Sequence, residues 1–331
     1  MDMIDSGLNP AEFATTAERA VAACATLDGA GRAARLAEDG ILGLLAGEEV
    51  GGLGLGLPFA VPVLAAAGAG DLAFPLLETL LLTRALEGVL PEIAEAFVTG
   101  GARGTIAWQG KARLVGGKVS GMLGRAPMAG EADWVLVRLA DGGAALVSTE
   151  GAKVSKAVTL DVTVSEENIS FDGAEPKAKL DAPALAVLEN DALVLRAAVI
   201  MGAADTCIAL AAEHVGNRKQ FGKPLVAYQA VRHLLARHKL GLEGIRGAVT
   251  RATATQGLTG EELLTASRAA FLAAATHGPS IGEGAIQLFG GMGFTWEVPV
   301  HRYLRRIRAL EAQGAAPALR EAVAAALIDA A

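Results

Sequence analysis

Two short motifs in the second half of the chain carry side chains that suit an anion site. Residues 218–224 read Arg-Lys-Gln-Phe-Gly-Lys-Pro, and residues 287–294 read Gln-Leu-Phe-Gly-Gly-Met-Gly-Phe. The guanidinium of Arg218 is a planar fork of donors that matches two phosphate oxygens. Gly290 and Gly291 let backbone N–H groups approach an anion. Taken singly, Arg218 is also typical of a solvated helix-end cation and the glycines of a helix stop; in combination the motifs favour anion binding.

Helical and strand-like patterns succeed one another along the chain. Residues 10–47 carry Ala, Leu and Val at three- and four-residue spacing, which predicts helix, and further helix is predicted at residues 64–67 and 76–86. Short β-rich runs between turn signals predict a small all-β domain with strands at residues 105–108, 134–137, 144–147, 162–164 and 169–171. From residue 183 onward the pattern is helical again, with predicted breaks at residues 257–260, 278–280 and 290–293.

Residues 50–70 form an uncharged stretch that is long enough to span a bilayer. Pro58, Pro62 and several glycines within it predict that no membrane-spanning helix forms there. The glycine run at residues 51–56 follows no β-strand pattern, which argues against a dinucleotide-binding loop.

Composition excludes several classes of function. The formal net charge of −7 argues against nucleic-acid binding. A hydrophobic content of 52% favours an oligomer. Cys24 and Cys207 lie far apart in helical stretches and are predicted to be buried, inert thiols. His233 and His238 miss the i,i+4 ligand spacing, so no metal is predicted. The acidic start lacks a signal-peptide pattern, which predicts a cytoplasmic protein.

The two motifs, in this order between Ala- and Leu-rich segments, resemble the C-terminal domain of acyl-CoA dehydrogenases, flavoenzymes that desaturate acyl-CoA thioesters. The resemblance extends to residues 293–297 and 301–306; it is strong over residues 183–310, weaker over 1–100 and thin between them. It implies a mainly α fold with a small β domain. The implied parts are an N-terminal helical domain at residues 1–100, a shortened middle β domain at 101–182 and a C-terminal four-helix bundle at 183–331.

The resemblance also implies FAD as the cofactor. In the family, the arginine of the first motif meets the flavin pyrophosphate, its neighbours lie beside the cofactor, and the second motif approaches the ADP portion. The implied FAD-binding residues here are Arg218, Gln220, Phe221, Gln287, Gly290 and Gly291. In the family such residues serve a flavin whose ring lies mainly in a neighbouring subunit, so we expect an oligomer.

The carboxylate base of the family reaction is missing from its usual positions. That base removes the α-proton of the thioester, and burial raises its pKa toward neutrality. Counted from Pro299 and Val300, one family position falls on Gly314; counted back from Arg218, the other falls on Ala192. Neither residue can accept a proton.

Three nearby acids are candidate replacements for the base: Glu311, Glu189 and Asp191. Each has a simpler alternative role. Glu311 lies three residues after Arg308 and suits an intrahelical ion pair. Glu189 and Asp191 lie near a predicted helix start, where acids suit the helix dipole.

Two segments that contact the flavin ring in complete family members also have no counterpart. One resembles Thr-Glu-x-x-x-Gly-Ser-Asp and the other Trp-x-Thr; residues 121–133, where the second should fall, do not match it.

Three hypotheses follow. The first is a subunit of a heteromeric acyl-CoA dehydrogenase that lends FAD-binding residues to a homologous partner carrying the catalytic glutamate, similar to the α2β2 enzymes of bacterial steroid side-chain degradation. An acyl-CoA substrate and an electron-transfer acceptor are its implied partners; nucleic acid and membrane are not expected. The second is a complete homotetrameric acyl-CoA dehydrogenase with a displaced carboxylate. The third is a non-enzymatic scaffold or acyl-CoA-binding protein.

Overall fold

The computed structural model describes residues 8–254 and 259–329 and shows helices, then a sheet, then helices again. The helices are α1 Pro10–Ala23, α2 Gly29–Glu38, α3 Leu57–Ala69, α4 Leu76–Leu86, α5 Pro91–Val98, α6 Ala182–Asn217, α7 Gln229–Thr253, α8 Gly260–Phe289, α9 Val300–Gln313 and α10 Ala316–Asp329. The strands are β1 Gly104–Val115, β2 Lys118–Pro127, β3 Trp134–Leu139, β4 Ala144–Ser148, β5 Lys153–Lys156, β6 Glu166–Ala174, β7 Pro176–Leu180, β8 Lys219–Gln220 and β9 Lys223–Pro224. The predicted fold class, mainly α with a small β domain, is confirmed.

The middle sheet has the strand order β5-β6-β2-β1-β3-β4-β7. Its neighbours pair antiparallel, except that β1 and β3 run parallel. Fully buried residues such as Val135, Val137 and Ile169 form a small core of its own. The sheet is thus a separate layer that must be fixed to the helices by other contacts.

Side chains define where the long helices begin. Asp181 accepts a hydrogen bond from the backbone N–H of Ala184 at 2.8 Å and so caps α6. Thr259 and Glu262 form a reciprocal capping box at the start of α8, with the backbone N–H of Thr259 2.7 Å from the Glu262 carboxylate. These caps satisfy N–H groups that have no partner within the helix.

Several local predictions are corrected. Residues 162–164 are not a strand, because the Asp161 side chain accepts hydrogen bonds from the N–H groups of Thr163 and Val164 and holds a turn. Residues 278–280 lie inside α8, where tertiary packing around Gly278 and Pro279 outweighs their weak helix propensity. Residues 257 and 258 of the break predicted at 257–260 lie outside the described residues, and α8 begins at Gly260.

The helix predicted at residues 64–67 is part of a longer helix, α3, which begins at Leu57. Pro58 lies in the first turn of α3, where a missing N–H costs nothing, and Pro62 follows one turn later. Among the described helices, α6 is long and apolar enough to cross a membrane by length and composition, and 61% of its most apolar window is buried inside the protein.

Helix α6 is the long central helix of the molecule. Its 36 residues give it a length of about 54 Å. Helix α3 crosses it at a point where the two backbones touch: a Cβ on Gly68 would overlap the carbonyl of Val199, and one on Gly202 would overlap the carbonyl of Ala65. Only glycine at both positions allows this approach, which fixes the N-terminal helices on α6.

A buried ion-pair network ties the sheet to both sets of helices. Arg306 of α9 contacts the carboxylates of Asp161, which precedes β6, and Asp71, which follows α3. Arg302 adds a contact to Asp71 at 2.5 Å. Removing one partner of such a buried pair leaves an uncompensated charge, at a cost of about 3–5 kcal/mol. Arg306 therefore links the C-terminal helices, the sheet and the N-terminal helices.

We expect Gly202→Ala to lower the free energy of unfolding by about 1–3 kcal/mol, because the new Cβ meets a backbone carbonyl that cannot rotate aside. This loss outweighs the gain in helix propensity of about 1 kcal/mol. Urea unfolding of the variant and the wild type measures this difference in unfolding free energy, provided that both have the same m-value. The control is Gly88→Ala, at an exposed turn with no atom within 4 Å of the new Cβ, which should stay within about 0.5 kcal/mol. Wild-type stability in Gly202→Ala would contradict the close crossing.

Candidate functional site

The first motif folds into a tight hairpin at the C-terminal end of α6. Strands β8 and β9 pair around Phe221 and Gly222, which both have positive φ. The hydroxyl of Tyr228 donates to the backbone carbonyl of Gln220 at 3.0 Å and fastens the hairpin. Arg218 caps α6 and is exposed, and the Phe221 ring is 92% exposed. The hairpin thus presents these side chains outward.

The second motif lies beside this hairpin at the end of α8. The ring of Phe289, the last residue of α8, stacks on His214 of α6 with centroids 4.3 Å apart. Helix α8 stops at Gly290, which has a φ of 63°. No atom lies within 4 Å of the Cβ positions of Gly290 and Gly291, so the backbone is open on that side. The structure therefore brings the predicted FAD-binding residues to one end of the bundle.

We call this end the motif face; it consists of Arg218, Gln220, Phe221, Gln287, Gly290 and Gly291. Its donors are a guanidinium and exposed side-chain amides, and Arg218 makes no ion pair within the described ranges. That donor set suits the pyrophosphate-bearing half of FAD. Phe294 and Trp296, 74% and 67% exposed, follow the second motif and leave apolar surface beside it. Exposed apolar surface next to unpaired donors is typical of a contact site.

A second candidate site lies between the sheet and the bundle. We call it the arginine cavity: it has a volume of about 550 Å³ and contains four guanidinium groups. Its lining residues are Trp108, Gln109, Arg125, Arg138, Ala186, Glu189, Asn190, Leu193, Arg196, Leu264, Arg268, Ala312, Gln313, Gly314, Ala315 and Leu319. A cavity of this size is in the range that accepts small molecules.

A buried polar chain lies against this cavity. The guanidinium carbon of Arg196 is 3.9 Å from the centre of the Trp108 ring, and Trp108 Nε1 donates to Glu78 Oε1 at 2.9 Å. Burial raises the pKa of Glu78, against the opposing effects of the Trp108 hydrogen bond and the Arg196 charge. Burial also lowers the pKa of Arg196 to about 10, against the charge of Glu78. Burial therefore disfavours the charged form of both Glu78 and Arg196.

Sequence reasoning missed these residues. One signal was present: Arg196 is the only charged residue between residues 192 and 204, an otherwise apolar stretch of α6. A charge in the middle of a buried helix is rare unless it is paired or functional. Trp108 and Glu78 carried no such signal, because their significance depends on contacts between β1, α4 and α6.

The motif face and the arginine cavity are separate places. Arg196 and Arg218 stand 22 residues apart on one helix, a distance of about 33 Å along its axis. The unbroken helix fixes this separation. A flavin whose pyrophosphate lies on the motif face therefore has its phosphates far from this chain's own cavity.

The positions where the family keeps its base are filled or blocked. Gly314 lines the arginine cavity, but a Cβ on it would overlap the ring of Phe271, which is fully buried. Ala192 is fully buried in the core of α6. Glu311 makes an ion pair with Arg308 at 2.8 Å, as its simpler role predicts. None of these positions presents a free carboxylate to the cavity.

Glu189 and Asp191 are not at the start of a helix, because α6 begins at Ala182 and both lie more than a turn inside it. The predicted dipole role is wrong for that reason. Glu189 lines the arginine cavity and pairs with Arg138 at 2.7 Å. Asp191 pairs with Arg84 at 2.8 Å; burial raises its pKa and the Arg84 charge opposes this. Both acids link α6 to other elements.

Comparison with known proteins agrees with this geometry. The family described as "Acyl-CoA dehydrogenase, C-terminal domain" matches residues 187–328. The acyl-CoA dehydrogenase FadE28 of Mycobacterium tuberculosis is 30% identical over 299 residues, which cover 82% of this chain and 84% of that protein. Two other relatives from the same organism are matched over a smaller share of their length: IpdE2 is 37% identical over 36% of its length, and FadE34 is 27% identical over 38% of its length.

Solved structures share the fold. A chain of the ChsE4-ChsE5 complex from Mycobacterium tuberculosis superposes with a TM-score of 0.87 at 24% identity, covering 99% of each chain. A chain of the Tcur3481-Tcur3483 steroid ACAD G363A variant gives a TM-score of 0.86 at 24% identity, covering 97% of this chain and 98% of that one. The chain therefore has the same helix, sheet and helix architecture as these structures.

The chain belongs to the acyl-CoA dehydrogenase family, a family of oxidoreductases. FAD is the cofactor that membership of this family implies.

We expect Glu78→Gln to gain stability relative to the wild type as the pH rises. A raised folded-state pKa means that the folded protein keeps a proton that the unfolded chain loses above its ordinary pKa of about 4.3. The stability that this proton contributes is therefore full below that pH and is lost as the pH rises through the folded-state value. Glutamine stays neutral and still accepts from Trp108 Nε1, so its advantage grows by about 1.4 kcal/mol per unit of raised pKa.

Urea unfolding of both proteins between about pH 4 and pH 8 measures this difference. Glu92→Gln, at an exposed position on α5, is the matched control for the loss of a carboxylate. A stability difference between Glu78→Gln and the wild type that does not change with pH would show that Glu78 is charged in the folded protein.

Proposed function

We propose that this chain is one subunit of a heteromeric FAD-dependent acyl-CoA dehydrogenase. It contributes the motif face to an FAD held mainly by a homologous partner subunit, and that partner carries the catalytic glutamate and most of the acyl-CoA pocket. The observation that carries the proposal is that Gly314, where the family keeps its base, has no room for a side chain beside Phe271. The motif face lies about 33 Å along α6 from this chain's own cavity, in keeping with a flavin held mainly by another subunit.

The proposed reaction is the α,β-desaturation of an acyl-CoA thioester. FAD, when bound, would supply the acceptor for the hydride that leaves the β-carbon as a carboxylate removes the α-proton. In this chain, Arg218 would bind the pyrophosphate oxygens, and Gln287 with the open backbone at Gly290 would lie along the ADP portion. Phe221 would cover the cofactor from the hairpin.

The state of this chain's own carboxylates supports a base in the partner. Glu189, the acid in the arginine cavity, is held by Arg138, and Glu311 is held by Arg308. Gly314 has no room for a side chain while Phe271 keeps its place. A general base must be free to accept a proton at the reacting carbon, and an acid held in an ion pair is poorly suited to that role.

The names of similar proteins guide the proposed substrate and partners. One solved structure is a ChsE4-ChsE5 complex and another is called a steroid ACAD, which support a two-subunit enzyme acting on a steroid side-chain CoA ester. A further chain of similar fold, with a TM-score of 0.83, is from the electron transferring flavoprotein of Acidaminococcus fermentans; this is in keeping with an electron-transfer acceptor as the second partner. The division at residues 1–100, 101–182 and 183–331 remains our proposed domain assignment.

A second candidate function is a complete homotetrameric acyl-CoA dehydrogenase with a displaced carboxylate. The observation in its favour is that Glu189 lines the arginine cavity. In that case a small change at Arg138 would free the acid for catalysis.

The first experiment is the visible absorbance of the purified chain, alone and co-expressed with a longer homologue that keeps the glutamate. We expect a colourless lone chain and a yellow complex. Arg218→Ala in the complex should weaken FAD binding by about 10- to 100-fold, because charge-assisted hydrogen bonds contribute about 1.5–3 kcal/mol. Arg251→Ala, at an exposed position on α7, is the control and should leave binding unchanged. A yellow lone chain with stoichiometric FAD would overturn the proposal.

The carboxylates provide a second test in the same complex. We expect Glu189→Gln, Asp191→Asn and Glu311→Gln each to keep dehydrogenation, because the partner supplies the base. Loss of turnover in one variant that retains FAD would establish the homotetramer-type mechanism instead. A yellow complex that binds acyl-CoA but never reduces its flavin would point to a non-enzymatic binding protein.

A further inference from the structure

The arginine cavity carries an excess of positive charge that ion pairs among the described residues do not neutralise. Two of its guanidinium groups have carboxylate partners: Arg125 pairs with Glu166 at 2.8 Å and Arg138 with Glu189 at 2.7 Å. Arg196 and Arg268 make no ion pair with the described residues. Two unpaired arginines beside one small cavity favour an anion.

Arg196 is held as a binding group would be. It is 2% exposed, and its position over the Trp108 ring fixes the plane of the guanidinium. Its Nε and Nη2 are buried and find no hydrogen-bond partner in the part of the chain that the structure describes. A buried donor without a partner costs free energy, more so for a charged group. An oxyanion that reaches Arg196 would offset this cost.

Neighbouring amides show the same lack of partners. Asn190 Oδ1 and Gln313 Oε1 are buried, and neither has a hydrogen-bond partner within the described ranges. Both residues line the arginine cavity. Rotation of the Asn190 amide would present an N–H donor at the same place. The polar side of the cavity therefore has several groups that remain to be satisfied.

The rest of the cavity wall is apolar. Leu193 comes from α6, Leu264 from α8 and Leu319 from α10, with Ala186 and Ala312 between them. A bare inorganic anion would leave this surface in contact with water. A volume of about 550 Å³ also exceeds what a small oxyanion fills. The wall suits a ligand with an apolar body.

We propose that the arginine cavity binds an organic carboxylate, with its carboxylate at Arg196 and Arg268 and its apolar body against Leu193, Leu264 and Leu319. The planar guanidinium of Arg196 matches a carboxylate in a bidentate geometry. This site is independent of the proposed FAD contacts, because those lie at the other end of α6.

Isothermal titration calorimetry of the full chain tests the proposal with three probes. Decanoate has both the carboxylate and the apolar body, 1-decanol has the body alone, and inorganic phosphate has the charge alone. We expect decanoate to bind at least about tenfold more tightly than either of the others. Equal affinity for decanol would show a merely apolar cavity, and equal affinity for phosphate a simple anion site; either result overturns the proposal.

Variants locate the binding. Arg268→Gln should weaken decanoate binding about tenfold or more, and Arg196→Lys should weaken it by keeping the charge but losing the planar fork. Arg268 is only half-buried, so we expect Arg268→Gln to fold. It therefore tests the place of decanoate binding even if Arg196→Lys does not fold. Arg19→Gln, exposed on α1, and Arg218→Ala, on the motif face, should both bind decanoate as the wild type does. Unchanged affinity in Arg268→Gln, or lost affinity in Arg218→Ala, would refute this location.

Discussion

The rest of the structure depends on the length and burial of one helix. Helix α6 is unbroken over 36 residues, and most of its middle is inaccessible to solvent. Apolar side chains surround that middle, and α3 meets it backbone to backbone at Gly68 and Gly202. Because the helix cannot bend without opening this crossing, its ends are fixed relative to each other. One end lines the arginine cavity and the other forms the motif face.

The two ends differ in their electrostatic surroundings. At the motif face, the guanidinium and amides stand in water, where they are mobile and their interactions are screened. At the arginine cavity, Arg196 is desolvated and stacked on Trp108, so that any interaction it makes is stronger. The exposed end is suited to a contact completed by another molecule's surface. At the other end, the cavity wall is built from this chain's own residues.

Sequence patterns predicted the features that depend on interactions between residues close together in the chain. The order of helices, sheet and bundle could be predicted from periodicity, and the hairpin residues and the glycine stop at Gly290 from their types and spacing. The chain of Glu78, Trp108 and Arg196 could not, because its members come from three elements that meet only in the folded protein. The predictions at Asp161 and Pro279 were wrong for a related reason. A side-chain hydrogen bond holds a turn at Asp161, and tertiary packing keeps Pro279 inside a helix, in each case against local propensity.

The packing around Gly314 limits how a carboxylate could be introduced at this position. The Phe271 ring occupies the space that a side chain at position 314 would need, and that ring is itself fully buried among its neighbours. A carboxylate cannot enter there by one substitution, since the aromatic ring must shrink first, and shrinking it alone leaves a void in the core that costs about 3–5 kcal/mol. Positions 271 and 314 are therefore coupled: a carboxylate at 314 requires a smaller residue at 271 in the same protein.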